Sequence, residues 1–204
     1  MSKKPTQSKC SAVKKFPWAT IGGYEFYEVI SALQKAVRRG DEKMALYWSH
    51  ELFLSNYASH LWTRLRVMAS EDVGPADSGV ATLVRALYEN WEQEKDNPLY
   101  QTHAVLALVR APKSRLVDHA TICAKLTIEN KLSHPSIPDY ALDKHTDKGR
   151  NMGRWWKFFR KVGALLDQPN GVKPPTDRYE QKCFELLEKY EPLPKDLNGG
   201  VETE

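Results

Sequence analysis

Three groups of residues in the 204-residue chain are of types and spacings that could do chemistry. In "RLRVMASEDVGPADSG", residues 64–79, a helix-like apolar run ends in the adjacent acids Glu71 and Asp72. A carboxylate pair is general acid–base material, yet at a helix C-terminus it faces the negative end of the backbone dipole and is disfavoured there. Two arrangements remove the conflict. The helix closes near Ala69 or Ser70 and leaves both acids beyond the dipole, or the acids pair with Arg38, Arg39, Arg64 or Arg66 across a helix junction. A catalytic pair is the third reading, and no base or metal motif accompanies it.

The second group is the loop "SHPSIPDYALDKHTDKG", in which His134, Asp143, His145 and Asp147 are potential metal ligands for a small metal-dependent hydrolase. A solvated turn is the plainer reading. His119 lies on the apolar side of a helix with Leu116, Ala120 and Cys123, where a hydrogen-bonded core histidine is expected. No HExxH or ExxH pattern supports a metal, and neither a metal ligand nor a catalytic residue is expected. No cofactor is expected. A nucleotide site would need a glycine-rich phosphate loop ending in Lys-Ser/Thr between a strand and a helix; "TIGGY" reads as a turn instead. GxSxG and similar nucleophile elbows are also missing.

The third group is "DKGRNMGRWWKFFRK". As one helix over 150–161 it would line up Arg150, Arg154, Lys157 and Lys161, opposite Met152, Trp156 and Phe159. Lys144 and Lys148 from the preceding loop extend the stripe. Such a stripe suits phosphates, and binding through it would weaken steeply with salt. A solvated face over an aromatic core is the alternative.

The elements that must position these groups read as helices throughout. Residues 1–22 form a basic arm containing Lys3, Lys4, Lys9, Lys14 and Lys15 and no acid, with Phe16 and Trp18 as anchors. The formal charge is +4; without those five lysines the remainder is one charge negative, so nucleic-acid affinity must come from local patches. Phe26, Val29, Ile30, Leu33 and Val37 share a face up to Gly40, and Asp41 starts a helix that places Met44, Tyr47, Trp48 and Leu52 together. A third helix carries Ala58, Leu61, Trp62, Leu65, Met68 and Ala69. A fourth, capped by Asp77 or Ser78, carries Val80, Leu83, Val84, Leu87, Tyr88 and Trp91. Asn97 and Pro98 open a fifth around "HAVLALVRA", apolar nearly all round and therefore central. Pro112 precedes a sixth running to about Lys131. Met152, Trp155, Trp156, Phe159, Val162 and Leu166 suggest a seventh, and "DRYEQKCFELLEKYE" a peripheral eighth before a disordered tail.

No stretch alternates as strands do. The expectation is an all-α domain of seven or eight helices over 23–169, with residues 170–204 as linker, peripheral helix and tail. Cys10, Cys123 and Cys183 fit neither a disulfide framework nor a zinc ribbon, and no signal peptide or membrane span is evident, so a cytoplasmic protein without membrane contact is expected.

"SALQKAVRRGDEKMALYW", "RLRVMASEDVGPAD" and "HAVLALVRAPKS" occur in the order and approximate spacing found in the C-terminal helical region of the replication-associated recombination protein A (MgsA) family of clamp-loader-like AAA+ ATPases. The chain resembles that region over about residues 28–131, and more loosely in "SIPDYALDKHTDKGR". The resemblance implies a collar and tetramerisation domain, hence a homo-oligomer, possible tetramers, and contacts with DNA, replication proteins or an AAA+ ATPase. By the same resemblance Tyr47, Trp48, Ser70, Glu71, Asp72, Gly74, Pro112, Lys113 and Ser114 are motif residues of structural or interface type. Family members hydrolyse ATP in an N-terminal domain that is not recognised in this sequence, so the expectation is a non-catalytic stand-alone homologue acting in replication, repair or recombination. After Gly149 the sequence departs from the family's Gly-, His- and Tyr-rich ending.

Overall fold

A computed structural model of the chain describes residues 18–166 and, farther on, the helical positions 179, 182, 183, 185, 186 and 189. Residues 1–17 of the basic arm, and most of the expected peripheral helix, lie outside the described residues. Two compact units divide at Leu132 and Ser133. Among the described residues the fold is all-α; the one β feature is an isolated bridge between Ala19 and Glu25.

In the first unit, helix α1 spans Phe26–Arg39 and α2 spans Glu42–Leu54. Gly40 separates them at φ 69°, a left-handed position where a side chain would be strained, and the Asp41 carboxylate accepts from the Met44 amide at 3.1 Å to start α2. Helix α3, Ala58–Met68, runs without interruption into a π turn, Ala69–Val73, and a short 3-10 turn, Gly74–Ala76. Helices α4, Val80–Gln93, and α5, Leu99–Arg110, follow, and α6 spans Leu116–Glu129.

The near-apolar α5 packs against α1, α2, α3 and α4, as its composition predicts. Leu33, Val37, Leu52, Leu61, Trp62, Leu65, Met68, Val84 and Leu108 are wholly buried around it. Each such side chain contributes roughly 1.5–3 kcal/mol by leaving water. The Trp62 ring lies 5.7 Å from Tyr88 and 5.8 Å from Trp91, so the α4 stripe meets α3 largely through aromatics.

Several local expectations are corrected. Tyr47 faces outward, while Ala45, Ser49 and Glu51 are the residues of α2 buried beside Leu52. Helix α4 has no side-chain cap: Asp77 accepts from the Gly79 amide, one residue before the helix begins. Asn97 does hold the start of α5, but Pro98 is the cap and Leu99 the first helical residue. The largest departure is α6. No residue of it is buried, and His119, Leu116, Ala120 and Cys123 are all exposed. It packs on the π turn and the 3-10 turn.

The second unit contains a 3-10 turn, Asp139–Ala141, helix α7, Asp147–Asn151, the single turn α8, Trp156–Phe158, and a π turn, Phe159–Gly163. The continuous helix expected over 150–166 does not form. Gly153 takes φ 72° and stops α7, and the chain restarts only at Trp156. Thr146 caps α7 by accepting from the Gly149 amide at 3.0 Å. Gly149 is buried against the Asp143 backbone, so closely that a Cβ there would clash with the Asp143 carbonyl oxygen.

Candidate functional site

The π turn gives the acidic corner its geometry. A wider turn at the end of α3 lets the consecutive Glu71 and Asp72 side chains converge on one set of cations. Asp72 is 1% exposed. Its Oδ1 accepts from Arg38 Nε at 2.5 Å and from Arg115 Nη1 at 2.9 Å, and its Oδ2 accepts from Gln34 Nε2 at 3.2 Å. Glu71 Oε1 accepts from Arg38 Nη2 and Arg115 Nη1, both at 2.9 Å, and its Oε2 accepts from Gln34 Nε2 at 2.9 Å. Arg64 donates to Gln34 Oε1 at 2.5 Å, and Arg115 Nη2 to Asp118 at 2.5 Å. The hydrogen bond to Asp72, joined by those to Asp118 and Glu71, holds the Arg115 guanidinium above its ordinary pKa.

Every carboxylate oxygen of the pair is therefore occupied by a donor from the protein. Such a pair is a charge-compensated joint between α1, the π turn and the start of α6. The helix does not simply stop before the acids, since the backbone keeps winding through them. Of the four arginines expected as partners only Arg38 pairs with them; Arg64 acts at one remove through Gln34. Arg115 and Gln34 supply the rest.

The connection from α5 to α6 is fastened on both sides. Lys113 Nζ donates to the carbonyl oxygens of Leu108, Val109 and Ala111 at 2.8, 2.8 and 2.5 Å, satisfying the C-terminal end of α5. Partial burial pulls the Lys113 ammonium below its ordinary pKa, against the opposing pull of Asp72. The Ser114 amide donates to the Asp72 carbonyl at 3.0 Å, and its hydroxyl accepts from the Leu116 amide at 3.2 Å. Gly74, at φ 51°, lies so close to α6 that a Cβ would stand 2.9 Å from Val117 Cγ2. Ser70 and Pro112 are exposed beside this joint. Tyr47 and Trp48 stand apart from it, edge to face at 4.8 Å, with Tyr24 on the Trp48 ring at 5.2 Å.

The basic segment of the second unit is organised differently from a helical stripe. Arg150 pairs with Asp147 and donates to the Lys144 carbonyl, while Arg154 pairs with Asp139 at 2.7 Å and lies over the Phe158 ring. These two are internal ties. Lys144 Nζ sits 3.2 Å above the Trp156 ring, and Lys148, Lys157 and Lys161 are exposed and have no acidic partner among the described residues. His145 donates its amide to Asp143 at 2.9 Å and places Nδ1 3.1 Å from the same oxygen. The His145 amide is the main cause of the lowered Asp143 pKa. His134 is exposed, Asp147 is engaged by Arg150, and no group of three metal-ligating side chains comes together among the described residues. The alternative reading of this loop, a metal constellation, is thus not assembled among the described residues.

The family model described as "MgsA AAA+ ATPase C terminal" matches residues 40–162, more than half of the chain. The chain belongs to this family. Replication-associated recombination protein A of Haemophilus influenzae is 33% identical over 154 residues, covering 72% of this chain and 33% of that protein. ATPase WRNIP1 of Dictyostelium discoideum is 32% identical over 137 residues, 65% of this chain and 15% of that protein. The Bacillus subtilis replication-associated recombination protein A is 28% identical over 159 residues, 73% and 35% of the two chains. This chain thus spans at most about a third of these relatives.

The matched part is the C-terminal region of an AAA+ ATPase family, and its relatives tie it to replication-associated recombination. Glu71, Asp72, Lys113, Ser114 and Arg115 lie inside the MgsA match, whereas Gln34 and Arg38 lie before it. Sequence reasoning passed over Arg115 and Gln34, and considered Asp118 only as metal-ligating material, apart from the corner. The Arg115–Asp118 pair was visible as an i, i+3 spacing, but the reach from Arg115 back to Asp72 exists only once α6 is folded against the corner. No helix among the described residues is long and apolar enough to cross a membrane.

Proposed function

We propose that this chain is a non-catalytic assembly module in replication-associated recombination, joining copies of itself through α6 and touching DNA through its second unit. The observation that carries the reading is the open apolar side of α6. Leu116 is 60% exposed, and Ile122 and Leu126 are each 47% exposed on a helix none of whose residues is buried. An apolar stripe of this kind is ordinarily a core stripe, and left uncovered it marks an interaction surface. The corner fixes the direction of that stripe, which suits a joint between subunits. The relatives' replication-associated names supply the context, and Lys144, Lys148, Lys157 and Lys161, with no acidic partner among the described residues, supply a phosphate-binding surface.

Light scattering and sedimentation over a concentration series test the assembly. The wild-type chain is expected to associate, and Ile122→Asp/Leu126→Asp to remain monomeric with an unchanged circular dichroism spectrum; a wild type that stays monomeric at high concentration overturns the assembly reading. DNA binding is expected to fall steeply with salt. Lys157→Glu/Lys161→Glu should abolish it, whereas a salt-insensitive or absent interaction overturns that part.

A further inference from the structure

We infer that the surface formed by residues 139–163 takes single-stranded nucleic acid, an unpaired base occupying the position over the Trp156 indole that the Lys144 ammonium now holds. The inference rests on the DNA-contact reading above and names the form of nucleic acid and the residue that selects it.

Local charge comes first. Residues 133–166 contain seven Lys and Arg and three acids, and so hold a charge excess equal to that of the whole chain, +4. All three acids are engaged within the unit: Asp139 by Arg154, Asp143 by His145, and Asp147 by Arg150. Lys144, Lys148, Lys157, Arg160 and Lys161 are left with no carboxylate partner among the described residues. Within this stretch the excess positive charge is therefore not spread among those three pairs.

Aromatic placement narrows the ligand. Trp156 is 40% exposed, with Lys144 Nζ 3.2 Å from its ring centroid, Arg160 Cζ at 5.1 Å and the Phe159 ring edge-on at 6.1 Å. A cation over an exposed ring is a weak contact, and a stacked base is stronger by roughly twofold or more in energy. Exchange of the Lys144 ammonium for a base is thus favourable, and it releases the ammonium to a backbone phosphate one nucleotide away. Duplex DNA cannot make this exchange, because its base faces are already stacked on one another. An acidic peptide would use the cations alone and leave the indole idle.

Fluorescence anisotropy on the full chain tests this with four probes: an oligothymidine, a duplex of equal length, an abasic oligomer with the same phosphates, and an aspartate-rich peptide. Oligothymidine is expected to bind at least about 5-fold tighter than the other three. Trp156→Ala should lose about 5- to 100-fold for oligothymidine and little for the abasic oligomer, with Trp156→Phe retaining most of the affinity. Equal binding of oligothymidine, duplex and abasic oligomer, unaffected by Trp156→Ala, overturns the stacking inference and leaves the DNA reading standing. Tightest binding to the acidic peptide overturns the assignment to nucleic acid. No binding of any nucleic acid at low salt overturns both.

Discussion

Replacing Asp72 by Asn keeps the volume of the buried side chain and removes its charge, which isolates what the corner depends on. Two guanidinium groups and one amide donate to this carboxylate, at 2.5, 2.9 and 3.2 Å. Hydrogen bonds involving a charged group contribute about 1.5–3 kcal/mol each, and breaking a buried ion pair from one side costs about 3–5 kcal/mol. Here the Arg38 and Arg115 side chains are 32% and 35% exposed, so water takes over part of their solvation in the variant. The expected loss is therefore about 3 kcal/mol, at the low end of that range. For a unit of this size it corresponds to a fall in Tm of about 12 °C. Thermal and urea melts followed by circular dichroism measure it, with the exposed neighbour Ser70→Ala expected within about 0.5 kcal/mol of wild type. A double-mutant cycle with Arg115→Gln should return a coupling of about 1–2 kcal/mol. A Tm shift below about 2 °C for Asp72→Asn would refute the claim that the network holds the corner. A variant that folded and assembled normally but lost a measurable activity would restore the enzymatic reading of the acid pair.

Gly74→Ala is expected to destabilise by about 1–3 kcal/mol, from a left-handed backbone and a Cβ 2.9 Å from Val117, and to weaken assembly by tilting α6; melts and light scattering check both. In the second unit, the His145 amide and ring hold the Asp143 carboxyl below its ordinary value near pH 4. A depressed carboxylate stabilises the fold fully above that ordinary value and loses its contribution as pH falls through the lower native value. Hydrogen-exchange protection at residues 143–150 should accordingly drop in that acid window, and Asp143→Asn should remove the pH dependence; a profile identical in the two proteins contradicts the assignment.

Periodicity made most of the first unit legible, because its helices are amphipathic at 3.6 residues per turn and bury the stripes they display. Leu33, Trp62, Val84 and Leu108 were all placed by pattern alone. The same rule misplaced α6, since an apolar stripe shows that a helix wants a cover and not whether its own chain supplies one. Composition also misled at residues 150–166. The aromatic and basic residues recur at helical spacing, but Gly153 adopts a left-handed conformation and breaks the run, so Arg150 and Arg154 turn back onto Asp147 and Asp139. At the acidic corner the question was visible and half of its answer was. Arg38 could be proposed as a partner, while Arg115 stands 43 residues from Asp72 and is brought there by tertiary structure alone.

The fastening of α6 also sets an order of events. Gln34 and Arg38 come from α1, the acids from the end of α3, the carbonyls held by Lys113 from α5, and Arg115 from the head of α6 itself. Nothing in α6 is buried in the core, so these polar contacts and its seat on Gly74 are what give the helix a direction. A chain emerging from synthesis reaches α6 last among them, and can aim it only after α1, α3 and α5 have met. Docking of the first helix thereby precedes the aiming of α6: a chain in which α1 has not docked carries that helix without a direction, and one in which it has docked holds it at a fixed bearing.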